Sequence, residues 1–259
     1  MNAVPVQRLG RFMVRTVLNL GRFSVFSLQV VRISRYLPRR TRRLMDELYH
    51  IGWLSLPIVC VSGLFVGMML GLQGYNTLIR FGAADSLGAV VGLSLIRELG
   101  PVLTALLVTG RAGSAIAAEI SSMVATQQLD GLRMMSIDPL DLVIAPKSLA
   151  MIISMPLLSA LFIVLGLLGS YIVGVIFLGL DGGSYIASLE SAIVFQNDVL
   201  VSLIKALVFG VLVALIATYR GYTAEPHSAG VSRATTSTVV TASVATLIVD
   251  YIITALWGV

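Results

Sequence analysis

SLIRELGPVLTALLVTGRAGSAIAAEI (Ser94–Ile120), followed after a short gap by QQLDGLRMMSIDP (Gln127–Pro139), decides how this chain is read. The first stretch is apolar enough for a membrane helix, yet Arg97 and Glu98 stand side by side within it, with Pro101 one turn on. A charge at bilayer depth costs about 2.5–3.5 kcal/mol even on a lenient insertion scale, so such residues are kept for pairing or for function. Pro101 lacks the N–H that would bond the Arg97 carbonyl, and its ring pushes that carbonyl aside. The pattern predicts a polar spot inside an apolar helix. The second stretch turns amphipathic at Gln127, Gln128, Asp130 and Arg133 and reads as a short helix outside the bilayer, ended by Asp138 and Pro139.

Of the 259 residues, 57% are hydrophobic and only 12% charged, the balance of a protein that crosses the membrane several times. Charge is unevenly spread. Residues 1–43 hold ten arginines and no acid, while the rest of the chain is net acidic. Beside membrane spans, that basic block suits an anionic lipid surface better than nucleic acid. Cys60 is the only cysteine, which excludes an intramolecular disulfide. On a helix, Arg8, Arg11, Arg15 and Arg22 fall on one face, and Leu9, Met13, Val17, Leu20 and Phe23 roughly opposite. Residues 1–44 are therefore expected to form a basic interfacial helix, not a cleaved signal, ending in a hinge at Pro38–Arg43.

Residues 45–259 are expected to be an all-α, five-span domain. The spans fall at Ile51 to about Gly74, Leu87–Ala112, Leu149–Leu180, Leu200–Tyr219 and Thr236–Trp257. Pro156, Gly166 and Gly169 allow a bend in the third, and 75–87 and 181–198 read as loops. Arg111, Arg133, Lys147, Arg220 and Arg233 gather at one end, which marks that end and the N-terminus as cytoplasmic and the C-terminus as external. Gly63, Gly67 and Gly71 bare one face of the first span, fit for close helix packing within the chain or between copies.

Four ionisable residues sit inside spans: Arg97, Glu98, Lys205 and Asp250. Counted from the outer helix ends they lie about 8–15 Å deep, all in the outer half of the membrane. They can pair with one another as structural ion pairs, or line a cavity that takes an amphipathic anion with its phosphate near Arg97 or Lys205. Ser94, Ala105 and Thr109 share the face of Glu98 and would suit such a lining. In the short cytoplasmic helix, Leu129, Leu132 and Met135 form an apolar edge for a partner, with Gln128, Asp130 and Arg133 hydrated. His50 and His227 lack ligand-type spacing, so no metal is expected. No Gly-x-Ser-x-Gly elbow and no Gly-x-x-x-x-Gly-Lys-[Ser/Thr] loop is present, so neither catalysis nor cofactor binding is expected, and any ATP must be bound by another chain.

At GLFVGMMLGLQGY (Gly63–Tyr75), LIRELGPVLTALLVTGRAGSAIAAEI (Leu95–Ile120), QLDGLRMMSIDP (Gln128–Pro139) and GVSRATTSTVV (Gly230–Val240), the chain closely resembles the MlaE (YrbE-type) permease family. Arg97 and Glu98 match the RELGP motif; Gln127 stands where many relatives carry Glu. The resemblance implies a homodimeric permease of a phospholipid-moving ABC transporter in a Gram-negative inner membrane, which maintains outer-membrane lipid asymmetry. It implies an ATPase subunit (MlaF-like) docked on a coupling helix within about 120–139. A hexameric MCE-domain protein (MlaD-like) and a STAS-domain protein (MlaB-like) are implied as further partners. An ion-coupled carrier, with Glu98 and Asp250 binding cations, and a non-transporting anchor of an MCE assembly remain as alternatives.

Overall fold

The computed structural model describes residues 4–34 and 41–257, and among these every regular element is helical. Helix α1 is Val4–Ser34 and α2 is Thr41–Ile51; a 3₁₀ turn at Trp53–Ser55 passes α2 into α3, Leu56–Leu78. Then follow α4 (Ala84–Ala125), α5 (Gln128–Met134), α6 (Leu140–Phe177), α7 (Gly182–Ala192), α8 (Phe195–Tyr222) and α9 (Ser228–Trp257). Five helical stretches are long and apolar enough to cross a membrane: α2 through α3 as Arg42–Phe81, then α4, α6, α8 and α9. The side chains of Arg8, Leu9, Arg11, Met13 and Arg15, and residues 38–40 of the expected hinge, lie outside the described residues.

Helix α6 is the hub, with α3 along one side and α8 along another; α4 and α9 pack onto α8, and α7 lies across the N-terminal end of α4. Lipid tails are as apolar as leucine, so helices in a bilayer gain little from hydrophobicity alone and must fit closely. The glycine face of α3 does this within the chain. A Cβ on Gly67 would stand 1.9 Å from the Gly166 carbonyl oxygen, one on Gly63 2.9 Å from that of Phe162, and one on Gly71 3.1 Å from Ser170. Inside α6, Pro156 cannot bond the Ile152 carbonyl. Gly210 of α8 fits against that stretch, 3.2 Å by its notional Cβ from Ile152 Cα.

Two expectations need correction. The helix of the second span runs on beyond the apolar stretch that ends near Ala112, 42 residues and about 63 Å in all at the helical rise, well past a ~30 Å hydrocarbon core, so residues 120–125 belong to α4 and the short helix expected within about 120–139 is only Gln128–Met134. Polarity ends the membrane segment near Ala112, but Ser114–Ala125 has no residue that breaks a helix. The stretch 181–198, expected to be a loop, is also partly helical. Asp181 caps α7, its Oδ2 accepting the Ser184 N–H at 2.7 Å, and Tyr185 is buried with its hydroxyl donating to Ser170 Oγ at 3.1 Å. Burial pushes the Tyr185 phenol up from its ordinary value, the Ser170 bond opposing.

Helix α1 packs through Phe26 and Val30, while Val17, Leu20 and Leu28 are exposed. The rings of Phe23 and Phe26 meet Tyr219 of α8 at 5.2 and 5.4 Å.

Gly67→Val should lower the unfolding midpoint in detergent by the equivalent of about 2 kcal/mol or more, because backbone must move to admit the side chain. Gly131→Ala meets nothing within 4 Å and should leave the midpoint in place. Equal tolerance of both changes would contradict the α3–α6 contact.

Candidate functional site

The site is built around the carbonyl that Pro101 leaves free. Residues Leu95–Leu99 form a π-helical turn, Gly100 N–H reaches back to the Leu95 carbonyl, and Pro101 follows without an N–H. The Arg97 carbonyl, lacking its helical partner, accepts from Lys205 Nζ of α8 at 2.9 Å. Lys205 is almost wholly buried, and its other two protons go to Thr254 Oγ1 at 2.8 Å and Glu98 Oε1 at 3.0 Å. An ammonium has three donors, so all are spent. Asp250 Oδ1 lies 3.3 Å from Nζ, close enough for charge attraction, yet that buried oxygen receives no hydrogen bond. Thr254 links the members, with Glu98 Oε1 at 3.2 Å and the Asp250 carbonyl at 3.0 Å from its hydroxyl.

Arg97 turns the other way. Its Nε donates to Asp198 Oδ1 at 2.7 Å, and the fully buried Asp198 accepts the Val194 N–H on Oδ2, also at 2.7 Å. The cluster thus holds two cations and three carboxylates, a formal excess of one negative charge if all are ionised. Its accessible members are Arg97 and Glu98, at 36% and 39% side-chain exposure. Lys205 faces none of the open side.

The sequence placed Arg97, Glu98, Lys205 and Asp250 at one depth, and the structure joins them. It does not join the other two candidates to them. Ser94, one turn from Glu98, donates to its own Val90 carbonyl, and Thr109 is fully buried with its hydroxyl unpartnered among the described residues. Asp198 and Thr254 were not singled out from sequence. A signal existed for each: Asp198 lies two turns before Lys205, and Thr254 one turn after Asp250, on the same helical faces.

At the opposite end, α5 departs from expectation in which side it shows. Leu129 is buried and Leu132 half-buried against the bundle, so they anchor α5 to its own chain rather than presenting an edge to a partner. Seven residues give too short a helix to stand alone, and its apolar edge is used to hold it down. The outward side carries Gln128, Asp130, Arg133, Met134 and Met135, with Met134 at 84% exposure. Arg133 pairs with Asp130 at 2.7 Å and donates to the Tyr222 hydroxyl at the end of α8, a bond that raises its guanidinium pKa.

A second ion cluster went unrecognised in the sequence. Lys147 of α6 is buried and bonds Glu47 of α2 at 2.7 Å and Glu119 of α4 at 2.8 Å. Arg111 reaches the His50 carbonyl at 2.7 Å and Ser55 Oγ at 3.0 Å. Together these line a cleft of about 460 Å³ between α2, α4 and α6. The two arms that carry α5 are therefore tied to each other and to the lead-in of the first span.

Comparison with known proteins gives one consistent family. The family model described as "Permease MlaE" matches residues 44–256. The intermembrane phospholipid transport system permease protein MlaE of Haemophilus influenzae is 47% identical over 97% of this chain and 96% of its own length. Probable ABC transporter permease proteins of Rickettsia bellii and of Synechocystis are 41% and 35% identical, over 96% and 81% of this chain and 96% and 80% of theirs.

Lys205→Met would leave the Arg97 carbonyl without its donor and Glu98 and Asp250 without their counter-charge at membrane depth, an expected loss of about 3 kcal/mol in unfolding free energy. Glu98→Gln keeps an acceptor for Lys205 on a partly open side chain and should cost less than about 1 kcal/mol. Thermal unfolding in detergent reads both; similar losses would mean Glu98, too, is mainly structural.

Proposed function

The chain belongs to the MlaE permease family, and from that premise we propose that it is the membrane-spanning subunit of an ABC transporter that moves phospholipid between the inner and outer membranes. The observation that carries the reading is one continuous helix. Helix α4 holds Arg97 and Glu98, partly open at membrane depth, and its far end leads directly into the exposed α5.

In this function, ATP is bound and hydrolysed by a separate ATPase subunit that docks on the outward side of α5, at Gln128, Asp130, Arg133, Met134 and Met135. Leu129 and Leu132 transmit the push, being the residues by which α5 grips the bundle. The displacement passes along α4 to the ion cluster. Arg97 and Glu98 meet the lipid headgroup, because they alone of the charged set are substantially exposed; Lys205 holds α4, α8 and α9 together behind them. Two copies of the chain form the transporter in a Gram-negative inner membrane, with the N-terminus cytoplasmic and the C-terminus periplasmic. Helix α1 lies in the cytoplasmic interface. Exposed apolar rows on α9 (Val240, Val244, Leu247, Tyr251) and α3 (Val61, Phe65, Met69) face lipid or the second copy. A hexameric MCE-domain protein on the outer side and a STAS-domain protein on the ATPase complete the assembly.

The test is coupled ATPase activity and fluorescent-phospholipid transfer by the purified assembly in proteoliposomes. Arg97→Ala or Glu98→Ala should reduce transfer about tenfold, the worth of one charge-assisted hydrogen bond, with assembly retained. Met134→Asp with Met135→Asp should instead uncouple ATP use from transfer. Transfer indifferent to ATP would favour an ion-coupled carrier, and full lipid transfer by an assembled Arg97→Ala, Glu98→Ala double variant would favour a non-transporting anchor.

A further inference from the structure

At the end of the bundle that carries α5, helices α1, α8 and α9 enclose a cleft of about 550 Å³ that the transport reading does not use. Its walls differ in kind. Arg22 of α1 and Arg220 of α8 supply two guanidiniums, and Thr241 of α9 a hydroxyl, while Leu20, Phe23 and Ile216 give an apolar floor. Arg220 is half-buried and donates to Thr241 Oγ1 at 3.2 Å. Among the described residues no carboxylate pairs with either arginine. Arg220 also lines an adjacent cleft with Glu225, but that carboxylate is engaged by His227 at 3.0 Å and Arg233 at 3.4 Å. Two arginines thus share a cleft whose own lining holds no carboxylate, one of them half out of water.

A ligand that satisfies this cleft needs an anionic head for the arginines and an apolar portion for the floor. It must also reach the rim of a bundle immersed in a bilayer. Basic pockets between spans on the cytoplasmic side hold anionic headgroups by the same physics. We propose that the cleft between α1, α8 and α9 binds an anionic phospholipid of the leaflet on the α5 side, its phosphate held by Arg22 and Arg220 and its upper chains against Leu20, Phe23 and Ile216. This site is separate from the ion cluster. Arg220 lies fifteen residues beyond Lys205 on the same helix, about 22 Å away, and its surroundings are cationic where the cluster is net acidic.

The position gives the bound lipid a consequence. Phe23 and Phe26 of α1 pack on Tyr219 and Tyr222, and Tyr222 receives the Arg133 hydrogen bond from α5. A lipid bridging Arg22 to Arg220 clamps α1 onto the end of α8, beside the tyrosine that holds α5. Anionic lipid in that leaflet then steadies the segment on which a driving partner would push.

Hydrogen exchange of α1 residues 17–34 tests this on the assembled complex in phosphatidylcholine nanodiscs doped with increasing phosphatidylglycerol. Exchange should slow and saturate with phosphatidylglycerol, and not with inorganic phosphate added to pure phosphatidylcholine. Arg220→Gln and Arg22→Gln should each shift the saturation point about fivefold, the worth of one basic residue at an anionic surface. Arg32→Gln, an exposed α1 arginine outside the cleft, should leave it unchanged. Two outcomes overturn the site: a response weakened by Arg32→Gln but not by Arg220→Gln, which is attraction of α1 to the surface alone, and equal protection by free phosphate. Arg22 is exposed, so its variant keeps the test valid should Arg220→Gln impair folding.

Discussion

The end of this bundle opposite α5 depends on one hydrogen bond, from the Lys205 ammonium to the carbonyl that Pro101 deprives of its helical partner. A backbone acceptor with no donor in hydrocarbon costs several kcal/mol, and so does an isolated ammonium. Each removes the other's penalty. Once Lys205 is fixed at that point, its remaining protons select Glu98 and Thr254, and the ammonium draws Asp250 close. Three spans are then held by one side chain whose reach is only a few carbons long. Arg97, whose backbone is used in this way, is free to carry its own charge outward to Asp198.

The rest of the fold meets the same constraint by contact instead of charge. Where α3 crosses α6, glycines bring backbone against backbone, and no side chain on that face could be added without parting the helices. At the opposite end the problem returns in polar form, and Lys147 answers it by bonding a carboxylate from α2 and one from α4. Both ends therefore have a buried lysine, Lys147 on the hub α6 and Lys205 on α8 packed against it, with acids from two neighbours, while close packing fills the middle. Stiff helices joined at both ends carry displacement better than they absorb it.

Much of this was legible in the sequence, for physical reasons that can be named. The five membrane-length helices follow from apolar length, and the exposed carbonyl at Arg97 from the chemistry of proline. The common depth of Arg97, Glu98, Lys205 and Asp250 follows from counting along helices. What the sequence hid is mostly direction. Leu129 and Leu132 mark an apolar edge, but periodicity does not say whether the edge faces a partner or the chain's own core. Lys147 and Arg111 counted correctly as basic residues at one end, yet nothing local foretold that Lys147 would be buried between Glu47, 100 residues away in sequence, and Glu119, 28 residues away. Asp198 looked like a loop residue because its neighbours Gln196 and Asn197 are polar; only the π-helical turn at Phe195–Val199 brings it inward to Arg97.

Structural ion pair and substrate contact were alternatives for the charged set as a whole, and the geometry separates its members by how fully each is bonded and how exposed. Lys205 has no proton left to give a phosphate, and Asp198 has both carboxylate oxygens engaged and no exposed surface. Those two are spent on the fold. Arg97 commits only Nε to Asp198, which leaves the terminal nitrogens of its guanidinium for a headgroup, and Glu98 keeps more than a third of its side chain open. Transport needs a site that can change its partners without losing its scaffold. Under the proposed function, buried charges behind and the partly open Arg97 and Glu98 in front, adjacent residues of a single π-helical turn, would meet both demands at once.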